Sequence, residues 1–195
     1  MSCLFFILWV IQADASPSGL KVNIRDYGAK GNGKALNTVA FNQAVQACVE
    51  QGGGTVVVPS GIYLTGTVRL KSHVSLFLEK GAVIKGCPDL KEYVPYIPTK
   101  EMGQYDNADK HNWNRALILA VGAEDISICG EGTIDGDHVF DPEGEENMRG
   151  PHTILFGESR DISLSGVTVL HAANYAFMAY EIENATFQHI TIKEG

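Results

Sequence analysis

The sequence predicts an all-β protein that folds as a parallel β-helix, a solenoid with coils of about 24 residues and one α-helix at its N-terminal end. Three observations predict this fold. Three kinds of short β-branched segment recur with a shared period, one amphipathic helical stripe precedes them, and the chain contains 21 glycines, which suit tight turns. With 45% hydrophobic and 19% charged residues, the composition is that of a folded domain with a core.

The shared period is the main argument for a solenoid. Two kinds of strand segment recur 24 residues later and a third recurs 23 residues later, so three strand phases advance together. A β-sandwich also has short strands and turns, but nothing in it keeps three phases in step. The recurring pairs are residues 153–156 with 177–180, 162–164 with 186–188, and 167–169 with 190–192.

Two segments interrupt the period and are expected to leave the solenoid as loops. Asp125-Ile126-Ser127 recurs as Asp161-Ile162-Ser163, 36 positions later, which is about 12 residues more than one coil. The excess predicts an insertion between Asp135 and His152, whose acidic residues indicate a solvated loop or, as the alternative, a calcium site. Residues 87–115 form the other interruption, rich in tyrosine.

Alternation along each strand predicts which side chains point into the solenoid. Residues two apart in a strand share a face, so the apolar members of each segment are expected to line one continuous core. The residues predicted to point inward are Ile126, Ile128, Ile162, Leu164 and Ile190.

An amphipathic helix is predicted before the first regular coils. Its apolar residues fall at helical spacing, and Gly52 stands where a left-handed C-cap belongs. Either Asn37 or Thr38 is expected to cap its first turn. The apolar stripe consists of Phe41, Ala44, Val45 and Cys48.

The charge of the chain limits its partners. The formal net charge is −8 and the isoelectric point is near 5.2, so neither nucleic acid nor an anionic membrane surface is an expected partner, because both require a basic surface. An anionic polymer would also be repelled overall. A protein of this charge that binds such a polymer must concentrate Lys, Arg and His in its groove.

Residues 1–15 are predicted to be a secretory signal peptide, and residues 16–195 the N-terminal part of one domain. An apolar run at 4–11 is followed by Ala13-Asp14-Ala15, a small-x-small cleavage pattern, so the protein is expected to be secreted or periplasmic. No Lys or Arg precedes the run, and a buried N-terminal strand is the alternative. The cysteine spacings match no metal site, and neither a disulfide framework nor a bound metal is expected.

The N-terminal region contains a dense series of short motifs. They are Asp-Tyr-Gly-Ala at 26–29, Gly-Asn-Gly at 31–33, Gly-Gly-Gly-Thr-Val-Val-Val-Pro at 52–59, Gly-Ile-Tyr-Leu-Thr-Gly at 61–66, and the segments 70–76 and 81–86. This order of motifs resembles the start of the polygalacturonase family, glycoside hydrolase family 28, and of the pectate-lyase-like right-handed β-helices related to it.

The resemblance implies a right-handed β-helix whose N-terminal end is plugged by the helix. It also implies a cofactor-free monomer that hydrolyses galacturonic-acid-containing polysaccharides with inversion, using two carboxyl groups about 6.5–9.5 Å apart. In the family, Asn-x-Asp, paired aspartates, Gly-His-Gly and Arg-x-Lys follow one another on successive coils. That succession is absent here, so no catalytic residue is assigned. The catalytic group is expected after Gly195, and this chain alone is expected to be inactive.

The residues predicted to contact substrate lie around the two interruptions. His152 starts a coil, Asn174 and Tyr175 form a turn where the family more often has Trp and His after the Asn, and Trp113 offers a ring for a sugar. Each also has an ordinary structural interpretation, such as a polar histidine at a turn or an aromatic that pins a loop to the solenoid.

The carboxylates near predicted strands are interpreted as structural. Asp125 and Asp161 occupy the same turn in successive coils and are expected to cap backbone amides there. Glu181 and Glu183 are expected on the outward side of one strand. Two other functions stay open: a polysaccharide lyase on the same scaffold and a non-catalytic carbohydrate-binding β-helix.

Overall fold

The computed structural model describes residues 19–96 and 114–194. The predicted signal peptide and Trp113 lie outside these described residues. Within them the chain forms a right-handed parallel β-helix with one helix near its N-terminal end, which confirms the predicted fold class. The described residues contain no helix that is long and apolar enough to cross a membrane.

Three parallel sheets form the faces of the solenoid, and each complete coil contributes one strand to each sheet in the order A, B, C. Sheet A contains β1 (Lys21–Asn23), β3 (Gly54–Val58), β6 (Val74–Leu78), β9 (Glu124–Gly130), β13 (Arg160–Ser165) and β16 (Glu183–Gln188). Sheet B contains β2 (Asn32–Leu36), β4 (Gly61–Thr65), β7 (Ala82–Gly86), β10 (Thr133–Asp135), β14 (Thr168–Leu170) and β17 (Thr191–Lys193). Sheet C contains β5 (Val68–Leu70), β8 (Ala116–Val121), β12 (His152–Gly157) and β15 (Phe177–Tyr180).

The strand register differs by one residue from the predicted period in two sheets. Ile154 pairs with Phe177 in sheet C and Ile162 pairs with Ala185 in sheet A, so both sheets advance by 23 residues and not by 24. A one-residue slip would turn every side chain of the strand to the other face. The observed register keeps Ala185 against the core, whereas the predicted one would have placed Thr186 there.

The predicted core is confirmed. Ile126, Ile128, Ile162 and Leu164 are buried, with exposed fractions of 2% or less, while Ile190 is partly buried and packs against the same core. The apolar side chains of adjacent coils therefore stack into one continuous core inside the solenoid.

The helix α1 (Thr38–Glu50) covers the N-terminal end of this core with its predicted apolar stripe, which is buried. It ends in a Schellman motif, because the Gly53 N–H binds the Cys48 carbonyl and the Gly52 N–H binds the Val49 carbonyl. The prediction that a side chain caps the first turn was wrong. Asn37 occupies the N-cap position, but its side chain binds the backbone of Lys30, Ala35 and Leu64 instead.

The corners of the solenoid carry columns of residues with positive φ. His73, Asp125, Asp161 and Asn184 stack in one such column, with φ between 51° and 62°. Asp and Asn tolerate this left-handed conformation better than most residues. Asp125 and Asp161 therefore share one turn position, as predicted. Their carboxylates, however, lie against His73 Nδ1 and Asn184 Nδ2 of neighbouring coils and do not cap backbone amides.

Both predicted insertions begin and end at the corner between sheets B and C. Residues 87–115 connect β7 to β8, and residues 136–151 connect β10 to β12. The second insertion contains β11 (Phe140–Glu145), which folds back so that Phe140 pairs with Arg149 in antiparallel fashion. The insertions therefore border the outer face of sheet C.

Candidate functional site

The structure brings two of the predicted substrate contacts together at the start of sheet C. The register of β12 and β15 places His152 directly beside Tyr175, and their rings stack with centroids 5.5 Å apart and an interplanar angle of 21°. The Tyr175 N–H points to His152 Nδ1 at 3.4 Å, so this nitrogen acts as the acceptor. His152 is only 3% exposed, whereas Tyr175 is 48% exposed.

This stacked pair presents an aromatic surface to solvent. Because the imidazole supports one side of the phenol ring, the exposed part of Tyr175 is available to a flat, apolar ligand surface. Asn174 precedes Tyr175 in the same turn and is mostly buried. Tyr175 is therefore the member of the predicted set that is best placed to touch a ligand, and His152 is placed to support it.

The middle of the outer face of sheet C is covered by Tyr96. This residue is 2% exposed and packs against Leu119 and Leu155, which point outward from β8 and β12. A Cβ on Gly157 would lie 2.7 Å from the Tyr96 ring, so the ring lies directly on the backbone of this glycine. Tyr96 therefore fits the alternative interpretation from the sequence, in which an aromatic of the first interruption pins its loop to the solenoid.

A hydrogen bond fixes the Tyr96 ring in this place. Its hydroxyl donates to Glu158 Oε1 at 2.8 Å. Burial and the bond to this carboxylate both raise the pKa of Tyr96, with burial the larger cause. The phenol is therefore neutral at physiological pH and remains a donor to Glu158.

A buried ion pair holds the second insertion against sheet C. Arg115 Nη1 lies 3.3 Å from Asp141 Oδ2, and Asp141 is 2% exposed. The other carboxylate oxygen of Asp141 accepts the Glu143 N–H. The interpretation of this insertion as a solvated loop was wrong for Asp141, because the aspartate faces Arg115 and not water. No sequence signal connects these two residues, which are 26 positions apart.

His171 lies at the same corner, at the end of β14, between carboxylates from the coils on either side. Its Nδ1 is 2.9 Å from Asp135 Oδ1, and its Nε2 is 3.1 Å from Glu194 Oε2. The His138 ring lies beside it, with centroids 5.1 Å apart. Hydrogen bonding to Asp135 is the main cause that raises the pKa of His171. Asp135 and Glu194 are therefore engaged in holding adjacent coils together.

Glu181 and Glu183 do not share a strand, contrary to the prediction. Glu181 lies in the turn after β15 with φ 46°, and Glu183 is the first residue of β16; both are exposed. Among the described residues, no group of three or more His, Cys, Asp or Glu side chains is arranged to hold a metal ion.

The sequence is similar to a pectate lyase-like family model and to proteins named polygalacturonase and exo-poly-alpha-D-galacturonosidase. A family model described as rhamnogalacturonase A/epimerase, pectate lyase-like, matches residues 21–119. A probable polygalacturonase of Vitis vinifera is 31% identical over 175 residues, which cover 86% of this chain and 35% of that protein. An exo-poly-alpha-D-galacturonosidase of Dickeya chrysanthemi is 37% identical over 123 residues, which cover 60% of this chain and 19% of that protein.

The fold is also similar to that of a solved structure. An exopolygalacturonase of Thermotoga maritima superposes with a TM-score of 0.72 and 23% identity, covering 89% of this chain and 47% of that chain. The chain thus spans about a third or less of the two sequence relatives and about half of this structure.

Proposed function

Since the chain belongs to the rhamnogalacturonase A/epimerase, pectate lyase-like family, we propose that the protein is a polysaccharide hydrolase of the polygalacturonase type that cleaves galacturonic-acid-containing polymers. The observation that carries the proposal is the similarity to proteins named polygalacturonase and exo-poly-alpha-D-galacturonosidase. The geometry supports it, because the two insertions border the outer face of one sheet and leave an exposed aromatic ring there.

The described residues suit the binding of a sugar chain. Tyr175 offers its exposed ring to the apolar face of a sugar, and His152 keeps that ring in place by stacking on its other side. Asn174 adds a polar group in the same turn, and Trp113 is proposed as a further aromatic contact. Galacturonan carries a carboxylate on each residue, so cationic side chains are also needed on this face.

Hydrolysis needs two carboxyl groups, one to protonate the leaving oxygen and one to activate water, and we propose the inverting arrangement for them. The proposal assigns neither role to a residue of this chain. Asp135 and Glu194 bind His171, and Asp161 accepts a hydrogen bond from Asn184. These contacts suit a role in holding coils together.

The same proposal covers location and partners. A pectic polymer is found outside cells, and the apolar run at residues 4–11 supports export, so the protein is proposed to be secreted or periplasmic. The partner is proposed to be the polysaccharide substrate alone, without nucleic acid, membrane or cofactor. The protein is proposed to act as a monomer.

Product analysis tests the reaction class. The gene product of the whole reading frame that contains this chain is incubated with polygalacturonate, rhamnogalacturonan and a neutral glycan. We expect new reducing ends from a galacturonic-acid-containing polymer and no ultraviolet-absorbing unsaturated sugar ends. Unsaturated ends would establish a lyase, and binding of the polymer without any cleavage would establish a non-catalytic binder.

A variant tests the role of Tyr175. Loss of one stacking ring should weaken binding of tetragalacturonate to Tyr175→Ala by roughly three- to tenfold, measured by calorimetry. Tyr27→Ala is the matched control, because Tyr27 is 36% exposed and lies in the short 3₁₀ helix Ile24–Tyr27, away from sheet C. Equal affinities for Tyr175→Ala and wild type would remove Tyr175 from the site.

A further inference from the structure

Two cations stand side by side at the N-terminal edge of the outer face of sheet C. Arg69 lies in β5, and Lys71 follows two positions later, just after this strand ends. Alternate residues of an extended segment point to the same side. Arg69 pairs in register with Leu119 of β8, so it continues the outward column that Leu119 and Leu155 form on the next two coils.

Among the described residues, the guanidinium of Arg69 has no hydrogen-bond or ion-pair partner. All five arginines of the sequence are described, and the other four each bind a protein partner: Arg25 binds Tyr63 and Ser60, and Arg115, Arg149 and Arg160 bind carboxylates. The backbone N–H of Arg69 donates to Asn42 Oδ1 at 2.9 Å. Among the described residues, Lys71 likewise has no carboxylate within ion-pair distance. Within the described part of the chain, two neighbouring cations of an acidic protein thus have no anionic partner.

A shallow cavity of about 250 Å³ opens beside these two cations. Its described lining contains no Asp or Glu. The apolar part of the lining comes from the segment that crosses sheet C and from the outward side chains of β8: Val94, Pro95, Leu119 and Val121. A positively charged rim over an apolar floor suits an anionic ligand with an apolar face.

A second groove, of about 510 Å³, meets the same two cations on the side of helix α1. It contains one carboxylate, that of Glu92, which accepts a hydrogen bond from Thr38 Oγ1 at 2.8 Å. This carboxylate is therefore already bound to a hydroxyl of the helix, and within the described part of the chain it forms no ion pair with Arg69 or Lys71.

We infer that Arg69 and Lys71 form a carboxylate-binding subsite for one uronic acid residue of a polysaccharide, separate from the surface around His152 and Tyr175. The guanidinium matches a carboxylate with two parallel hydrogen bonds, and Lys71 adds a second positive charge. The sugar ring lies with its apolar face over Pro95, Leu119 and Val121. This inference rests on the proposed function for its ligand class, and it explains how a chain of net charge −8 holds a polyanion.

The subsite is tested by calorimetric titration of tetragalacturonate and of its fully methyl-esterified form into the whole chain. Replacing both cations, Arg69→Ala with Lys71→Ala, should weaken binding of the acid form by about tenfold to a hundredfold, because charge-assisted hydrogen bonds are lost. The esterified form should bind weakly to wild type and be unaffected by the replacement. Binding of the acid form should also weaken as NaCl rises from about 0.05 M to about 0.5 M.

A matched variant controls for net charge. Lys21→Ala with Lys34→Ala removes the same charge from exposed residues of sheets A and B, and it should leave binding unchanged. Melting temperatures of all variants report that the fold is kept. Equal loss in both double variants, or equal binding of acid and ester, would overturn the subsite.

The outcomes separate this inference from the proposed function. If wild type binds tetragalacturonate and the Arg69/Lys71 double variant binds it equally well, the subsite is wrong and the substrate class stands. If wild type does not bind tetragalacturonate, the subsite is also wrong, whatever the product assay shows. If binding depends on both cations but the whole gene product cleaves no uronic-acid polymer, the subsite stands and the hydrolase proposal fails.

Discussion

Removal of the Phe41 ring tests whether helix α1 closes the solenoid. Phe41 is completely buried, and its ring meets the edge of Tyr63 with centroids 6.1 Å apart at an interplanar angle of 87°. Replacement of a buried Phe by Ala removes its transfer free energy and leaves a cavity, which costs about 3–5 kcal/mol. An edge-to-face aromatic pair contributes about 0.5–1.5 kcal/mol of its own. We therefore expect Phe41→Ala to lower the free energy of unfolding by about 4–5 kcal/mol, the upper half of the range for a buried Phe.

Urea unfolding followed by circular dichroism measures this free energy. Val39→Ala is the control, because Val39 lies on the same helix and is 69% exposed, so its replacement should change stability by less than about 0.5 kcal/mol. Phe41→Asp should destabilise the fold more than Phe41→Ala, since it also buries an unpaired charge. A free energy of unfolding for Phe41→Ala within about 1 kcal/mol of wild type would refute the end-cap role.

Two further predictions concern charged groups at the corner between sheets B and C. Arg115→Met should cost about 3–5 kcal/mol because it leaves Asp141 buried without its cation, whereas Arg149→Met, which breaks an exposed pair, should cost about 0–1 kcal/mol. Equal costs in urea unfolding would show that Asp141 is hydrated. The pKa of His171 is raised, mainly by Asp135, so its stabilising effect is complete below the ordinary value of 6.5 and is lost as pH rises through the raised pKa. Unfolding of wild type and His171→Asn from about pH 5 to about pH 9 should converge at high pH, and a constant difference would contradict this.

The helix and the core could be predicted because their signals are local. Phe41, Ala44, Val45 and Cys48 follow helical spacing, and the structure buries all four. The inward positions of Ile162 and Leu164 follow from alternation within one strand. Such patterns depend only on the geometry of a single helix or strand, so they can be recognised without knowledge of the tertiary contacts.

The register and the covering of sheet C depend on contacts between distant residues. The sequence pattern does not distinguish a coil of 23 residues from one of 24, because Ala185 and Thr186 are both acceptable in a strand. The register is decided by the packing of Ala185 against the core. Tyr96 lies on Gly157, 61 positions away, because only a glycine leaves room for the ring there. A tyrosine-rich loop was visible in the sequence, but the surface on which its tyrosine packs was not.

The geometry of a β-helix explains why the candidate sites gather around sheet C. Strands of adjacent coils must remain paired, so extra residues are tolerated only in the corners. The turns from sheet A to B and from sheet C to A contain two or three residues in each regular coil, whereas the connections from sheet B to C between β7 and β8 and between β10 and β12 contain 29 and 16 residues. Both long insertions therefore begin and end at the corner between sheets B and C, beside the outer face of sheet C. Both candidate binding surfaces lie on the outer face of sheet C, with Tyr175 at one edge and Arg69 at another.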